Sequence, residues 1–396
     1  MRKRLGLLTC ACALVLFAAG MAWFPAAAGP TSDERAAGGG KVRTYYVAAD
    51  ELDWDYAPSG IDQMTGKPFE GMAKFFMDHG PHRIGHVYKK AIYREYTDAT
   101  FTILKPRPAD ELYLGILGPI LRAEVGDTIK VVFKNNGTHP CIMHPHGVFY
   151  EKASEGVVYN DGSSAADKEG GHVAPGQTFT YIWEVPERAG PGPNDPSSIV
   201  WLYHSHTNEL MDVNSGLVGA IIVTRKGMAL PDGRPKDVDK EFVTLFMIFD
   251  ENQSWFIDEN IQKHTGDPAG TKKDEATNMD WQGLFNFVLP AGFSGANERF
   301  TINGMQYANL PMMTMNKKDR VRWYVATLGN GFNLHTPHWH GNVVTENGNR
   351  TDVIILASAQ MKTVDMIPDD PGIWLYHCHL SDHMEGGMVA RYEVQK

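Results

Sequence analysis

Ten of the 16 histidines fall into four short motifs: HPH (His144, His146), HSH (His204, His206), HTPHWH (His335, His338, His340) and HCHLSDHMEGGM (His377, His379, His383). In an extended strand alternate side chains share a face, so each H-x-H pair sets two imidazoles about 7 Å apart, placed to serve one metal ion or two neighbours. A single pair of this kind is ordinarily just two surface or core histidines. Four pairs are not, because one of them encloses a cysteine. In HCH the two histidines face one way and Cys378 faces the other, so one strand touches two separate metal sites. Cys378, His383 five residues on, Met388 ten residues on and His335 make a His2Cys set with an axial thioether, the ligand set of an electron-accepting blue copper. The remaining eight motif histidines suffice for a three-copper cluster, with electrons passing to it through Cys378 and its neighbours. His79, His82, His86, His139, His172 and His264 stand outside the motifs and read as structural or surface residues.

The elements that must position these residues repeat. WLYHSH (Trp201 to His206) returns as WLYHCH (Trp374 to His379), and EVGDTIKVVF before HPHG returns as NKKDRVRWYV before HTPHWHG. Internal duplication accounts for this order. Each copy reads as short strands such as TIKVVF, TFTYIWEV, GAIIVT and RVRWYV, parted by Gly, Pro, Asn and Asp, a pattern of Greek-key β-sandwiches or barrels. The polar, Pro/Gly-rich stretch 226–240 is the natural linker, with one domain over 29–225 and the second over 241–396. Superposing the repeats puts Cys141 at the place of His335, Ser205 at that of Cys378, and Leu210 and Ser215 at those of His383 and Met388. The first domain therefore lacks a blue-copper ligand set, and Cys141 reads as a small buried residue or, in the alternative, a free thiol.

Composition narrows the setting. Arg2, Lys3 and Arg4 precede an apolar run and Ala26-Ala27-Ala28, the form of a Sec-type signal peptide over 1–28, which predicts a secreted or periplasmic protein. No later stretch reaches the roughly 18 apolar residues of a membrane span. Cys10 and Cys12 leave with the leader, so Cys141 and Cys378 remain and a disulfide scaffold is excluded. A formal net charge of −10 argues against nucleic acid as partner. With 396 residues the chain exceeds the usual single-core limit of about 250–300, consistent with two domains.

On these motifs the chain resembles the two-domain multicopper oxidases. Its layout is that of the bacterial small laccases, while RTYYVAADELDWDYAP, RIGHVYKKAIYREYTDATF, LGILGPILRAEVGD, SGLVGAIIV, FDENQSWFIDENI and TINGMQYANLPMMTM resemble ceruloplasmin and hephaestin, over most of the chain from Arg43 onward. The resemblance implies an all-β fold of two cupredoxin domains in tandem and four copper ions per chain. By it, His144 and His338 bind the type 2 copper; His146, His204 and His379 bind one type 3 copper, and His206, His340 and His377 the other. His335, Cys378, His383 and Met388 take type 1. Tyr150 and Glu155 match positions near the cluster, where an acid relays protons to reduced oxygen. In two-domain relatives the cluster lies between neighbouring subunits, which predicts a homotrimer.

The reaction so implied couples four one-electron oxidations to reduction of dioxygen to water. Phenols and aromatic amines are the expected reductants, and ferrous or cuprous ion is the alternative. Asp382 matches one acidic iron-site position of the ferroxidases, but their Glu and His before the ING segment align with Gly295 and Phe300. Met305, Met312, Met313 and Met315 would suit cuprous ion, yet read first as core filler. A copper nitrite reductase would place its blue site in the first domain, against Ser205. A metal-free binding module, like the A domains of the clotting cofactors, would not keep the full ligand set.

Overall fold

The computed structural model describes residues 40–271, 292–329 and 334–396. The leader predicted over 1–28 lies outside the described residues.

Among the described residues eighteen strands form four sheets. Eight come from the first half: β1 (Val42–Asp55), β2 (Val87–Tyr96), β3 (Leu121–Glu124), β4 (Thr128–Asn135), β5 (His144–Pro145), β6 (Thr178–Glu184), β7 (Ser198–His204) and β8 (Val218–Thr224). They pair only among themselves, in the orders β2-β1-β4-β6 and β3-β8-β7-β5. The second half supplies β9 (Lys240–Asp250), β10 (Glu298–Ile302), β11 (Met313–Asn316), β12 (Val321–Ala326), β13 (Pro337–Trp339), β14 (Val344–Glu346), β15 (Asn349–Thr351), β16 (Met361–Met366), β17 (Gly372–Cys378) and β18 (Val389–Gln395). These form the orders β10-β9-β12-β16-β14-β15 and β11-β18-β17-β13. The fold is all-β, two sheets to each half. Lys240, the last residue read as linker, already opens β9.

The strands differ in how they earn their burial. In β4 the residues alternate: Ile129, Val131 and Phe133 are fully buried while Thr128, Lys130 and Val132 face outward, as a half-covered sheet requires. GAIIVT and RVRWYV do not alternate in burial. All seven residues of β8 and all six of β12 are buried, because both faces of these central strands are covered. Trp323 of β12 packs against Phe242, Trp339, Tyr376 and Tyr392 at ring distances of 4.8–5.8 Å. On the other face Arg322 binds Asp365 at 2.7 Å and the hydroxyls of Ser197, just before β7, and Ser198, its first residue, at 2.6 and 2.7 Å. Truncating such a buried Trp to Ala costs about 3–5 kcal/mol, so the support beneath the HCH strand is rigid.

One apolar core runs across both halves, joining Tyr56, Tyr88, Leu202 and Ile222 to Phe242, Phe246, Trp323 and Tyr376. Polar groups cross the same seam. Lys90 forms an ion pair with Glu251 where both side chains are fully buried, and Tyr56 donates to the same carboxylate. Arg122 binds Glu241 at 3.1 Å. The halves are thus packed as one body by apolar contact and by buried charges that are paired across the seam and further hydrogen-bonded there. Among the described residues no helix is long and apolar enough to cross a membrane.

Candidate metal centre

Strand pairing brings the motifs together two by two. His144 of β5 stands opposite His204 of β7, and His338 of β13 opposite His377 of β17. Around each pair a quartet closes. In the first half the ring centres of His144 lie 5.7, 5.6 and 5.5 Å from those of His146, His204 and His206. In the second half His338 lies 4.5, 5.1 and 5.1 Å from His340, His377 and His379. Within them His146 Nε2 and His204 Nε2 are 3.1 Å apart, and His340 Nε2 and His377 Nε2 are 2.9 Å apart. Each couple thus brings two possible ligand nitrogens close together, and each is a couple that the resemblance assigns to a single ion.

The free ring nitrogens are set by what the other nitrogen does. Nδ1–H of His144 donates to the Glu155 carbonyl at 2.6 Å, that of His204 to Ser205 at 3.0 Å and that of His377 to Cys378 at 2.8 Å. Binding one nitrogen to a carbonyl selects the tautomer with Nε2 unprotonated, which is the form a metal needs. Burial adds to this by penalising the imidazolium: it lowers His146 and His377 to about 4 and His204 to about 3.

The Cys378 side of β17 is different in kind. His335, Cys378 and His383 are all buried, with ligand atoms within 4.8 Å of one another. Cys378 Sγ lies 3.5 Å from His383 Nδ1, and the His335 and His383 rings are 4.9 Å apart. Neither nitrogen of His335 has a hydrogen-bond partner, although both are buried. Burial drives that imidazole down to about 3, so it is neutral, and a neutral buried donor–acceptor with nothing to bind is costly unless a ligand completes it. A soft thiolate beside two imidazoles in an apolar pocket fits copper. Met388 is fully buried; its N–H donates to the His383 carbonyl at 2.9 Å and its carbonyl accepts from the Cys378 N–H at 3.2 Å, so the loop that carries the thioether is pinned to both ligands.

Three expected residues take up less direct positions. Tyr150 has its ring 6.2 Å from that of His144. Glu155 reaches His144 with its backbone carbonyl, while its carboxylate is held by Lys152 and by the Tyr159 hydroxyl at 3.0 Å. Asp382 lies in the first turn of the short helix Ser381–Glu385 beside His383; burial pushes that imidazole down, and the Asp382 charge opposes the shift without reversing it. Phe300 packs against His383 with ring centres 5.4 Å apart and planes tilted by 52°, an apolar wall to that ligand.

Sequence reasoning missed Asp212. It is fully buried, accepts from the Ser205 hydroxyl at 2.6 Å, Trp255 Nε1 at 2.8 Å and the Asn208 N–H at 3.0 Å, and stands where the second half puts a metal ligand. Leu210, which the repeat aligned with His383, is 46% exposed. An acid two residues further into the helix that starts at Glu209 was the available signal.

Comparison with known proteins agrees. Two family profiles described as "Multicopper oxidase" match residues 114–227 and 278–396. The chain belongs to the multicopper oxidase family. It is 40% identical to Ferroxidase HEPHL1 of Mus musculus over 359 residues, 39% to Hephaestin of Homo sapiens over 361, and 40% to Ceruloplasmin of Rattus norvegicus over 359, in each case over 90% of this chain. It spans about a third of the length of these relatives, 29%, 30% and 32% respectively. A solved structure described as "Crystal structure of multicopper oxidase" matches 89% of both chains with a TM-score of 0.53 at 21% identity, a likeness of fold. As a multicopper oxidase the chain has copper for its cofactor.

Proposed function

We propose that this multicopper oxidase takes electrons from a low-valent metal ion, with ferrous iron as first candidate, and uses them to reduce dioxygen to water. The reading rests on one observation: the whole described ligand set sits in a chain 39–40% identical, over 90% of its length, to proteins named ferroxidases, hephaestin and ceruloplasmin. It reverses the preference for phenols drawn from the small-laccase layout. Asp382, a carboxylate next to His383, supports a cationic substrate. Phe300 on that same ring narrows the choice, because it removes one nitrogen ligand for the incoming ion. Cuprous ion, which needs fewer hard ligands, is the second candidate.

In this proposal His335, Cys378, His383 and Met388 hold the type 1 copper, His144 and His338 the type 2, and the other six quartet histidines the type 3 pair. Bound copper supplies one-electron oxidation at the first site and four-electron reduction of oxygen at the cluster. The chain does the rest. Cys378 shares β17 with His377, and His379 follows directly, so the electron-entry pocket and the oxygen-side histidines are joined by adjacent peptide units. The carbonyls of Glu155, Ser205 and Cys378 hold three imidazoles in the ligating tautomer. Tyr150 and Glu155 would move protons at the cluster edge, once Glu155 exchanges Lys152 for a proton.

Assembly follows from the same layout. Among the described residues no hydrogen bond or ring contact joins the first-half quartet to the second-half quartet, and each is half of a cluster. Exposed apolar residues lie close in sequence to both: Leu210 four residues after His206, and Leu334 four before His338. A second copy placed head to tail would complete each cluster and cover these residues, and three copies would close a ring. The domains would be 29–225 and 241–396, exported behind the 1–28 leader.

The deciding experiment compares catalytic efficiency of the copper-loaded chain with Fe(II), Cu(I) and 2,6-dimethoxyphenol under oxygen. The expected order puts a metal ion ahead of the phenol by about tenfold or more, equal to about 1.4 kcal/mol in transition-state binding. A phenol that matched or beat both ions would restore the laccase reading. Metal analysis far below four coppers per chain would remove both.

A further inference from the structure

Resting on that reading of the Cys378 pocket, the geometry points to Thr336 as a positioning residue that ties the type 1 sulfur to the oxygen-side histidine His379. Thr336 follows the ligand His335 and lies against the HCH strand. Its backbone N–H donates to Cys378 Sγ at 3.3 Å, and its hydroxyl lies 3.8 Å from the same sulfur. That hydroxyl also accepts from the His379 N–H at 3.1 Å, and the Thr336 carbonyl accepts from the same N–H at 2.9 Å. One residue thus grips both ends of the Cys378–His379 unit. The hydroxyl bridges the two: His379 N–H donates to Oγ1, and Oγ1 lies within reach of the sulfur, to which its hydrogen would be donated when Cys378 is a thiolate.

The duplicated fold supplies an internal control. Ile142 occupies the position of Thr336 in the first half, and its backbone N–H makes the matching bond, 3.1 Å to the Ser205 hydroxyl. The backbone donor is therefore a property of the fold and is kept where no copper is bound. The hydroxyl is not: the first half has an isoleucine there, and among the described residues no hydrogen bond joins Ile142 to His206. The half that carries the cysteine is the half that carries the side-chain bridge. Hydrogen bonds to a copper-bound thiolate withdraw electron density from sulfur, which disfavours the cupric state and raises the reduction potential. Bonds from one residue to two ligands also keep their separation constant as charge moves between them.

The test uses the copper-loaded full chain as Thr336→Val and Thr336→Ser. Val keeps the shape and the backbone donor but removes the hydroxyl; Ser restores it. Thr336→Val is expected to lower the type 1 reduction potential and shift its visible band, and to slow anaerobic electron transfer from the blue site to the cluster by about tenfold, with KM for the reductant unchanged. Thr336→Ser is expected to recover all three readouts. A Val variant that loads no blue copper while Ser loads it also supports the assignment. Val matching the wild type in potential, band and transfer rate overturns it, and so does equal loss in Val and Ser. A wild-type chain without a blue band would instead sink the underlying functional reading, whatever the variants do.

Discussion

The pocket around Cys378 and its counterpart around Ser205 are two answers to one geometric problem. Both lie between the strand that carries an H-x-H pair and the short helix after it, and both receive a backbone N–H from the residue two before the next motif histidine, at 3.3 Å in one and 3.1 Å in the other. In the second half the polar atoms converge without bonding one another well: His335 has two unsatisfied nitrogens, and the sulfur is 3.5 Å from His383. In the first half they satisfy each other, with Asp212 drawing in Ser205, Trp255 and Asn208. The difference teaches how a duplicated fold disposes of a ligand pocket. A carboxylate that collects three donors replaces the ion; burial pushes its carboxyl up, and those donors pull back against burial in part.

The comparison breaks most completely if Cys378→Ser, which gives the second pocket the residue found in the first, leaves oxidase activity standing. The expected result is loss of the blue absorption and of turnover to background, with an unchanged far-ultraviolet circular dichroism spectrum. Next in size is Asp212→Ala, which removes the buried acceptor of three hydrogen bonds. Urea unfolding should show a loss of about 3 kcal/mol while the visible copper spectrum of the folded protein stays intact. A loss of both together would mean that the two pockets are coupled.

The smallest effect sharpens the contrast between a buried acid with donors and one without. Glu298 on β10 faces Asp250 across the ladder, and among the described residues no hydrogen bond reaches its carboxyl. Burial first, then the Asp250 charge, push that carboxyl up to about 7. The folded chain therefore keeps its proton up to about pH 7, while the unfolded chain releases it near the ordinary 4.5. Stability from this group is whole below the lower value and is lost as pH rises through the higher one. Glu298→Gln should reduce the loss of stability between about pH 5 and pH 8 by on the order of 1 kcal/mol, read from melting curves. Parallel curves for variant and wild type would show that solvent already screens the group.

How much of this was legible beforehand varied with the local geometry. The ligand motifs were, since strand period two fixes which side chains share a face within HPH, HSH, HWH and HCH, and the quartets formed as that period requires. The central strands were read as strands but not as doubly covered, because whether Trp323 and Arg322 are both buried depends on which sheets lie above and below. The role of Asp212 escaped the repeat alignment for a related reason. In a helix a shift of two residues turns a side chain by more than half a turn, so Leu210 pointed to solvent and Asp212 to the pocket. Glu155 was placed near His144, but only the folded loop shows that its carbonyl does the holding while Lys152 takes the acid.

Residue identity and spacing alone settled the ligand inventory, the duplication and the placing of sulfur and imidazoles on opposite faces, because these depend on interactions within a few residues of one strand. Which pocket lacks hydrogen-bond partners, which acid fills the other, and that the two quartets remain apart in one chain were settled only by the packing of the sheets. Those properties depend on desolvation and on contacts between residues far apart in the chain, and no local pattern carries them.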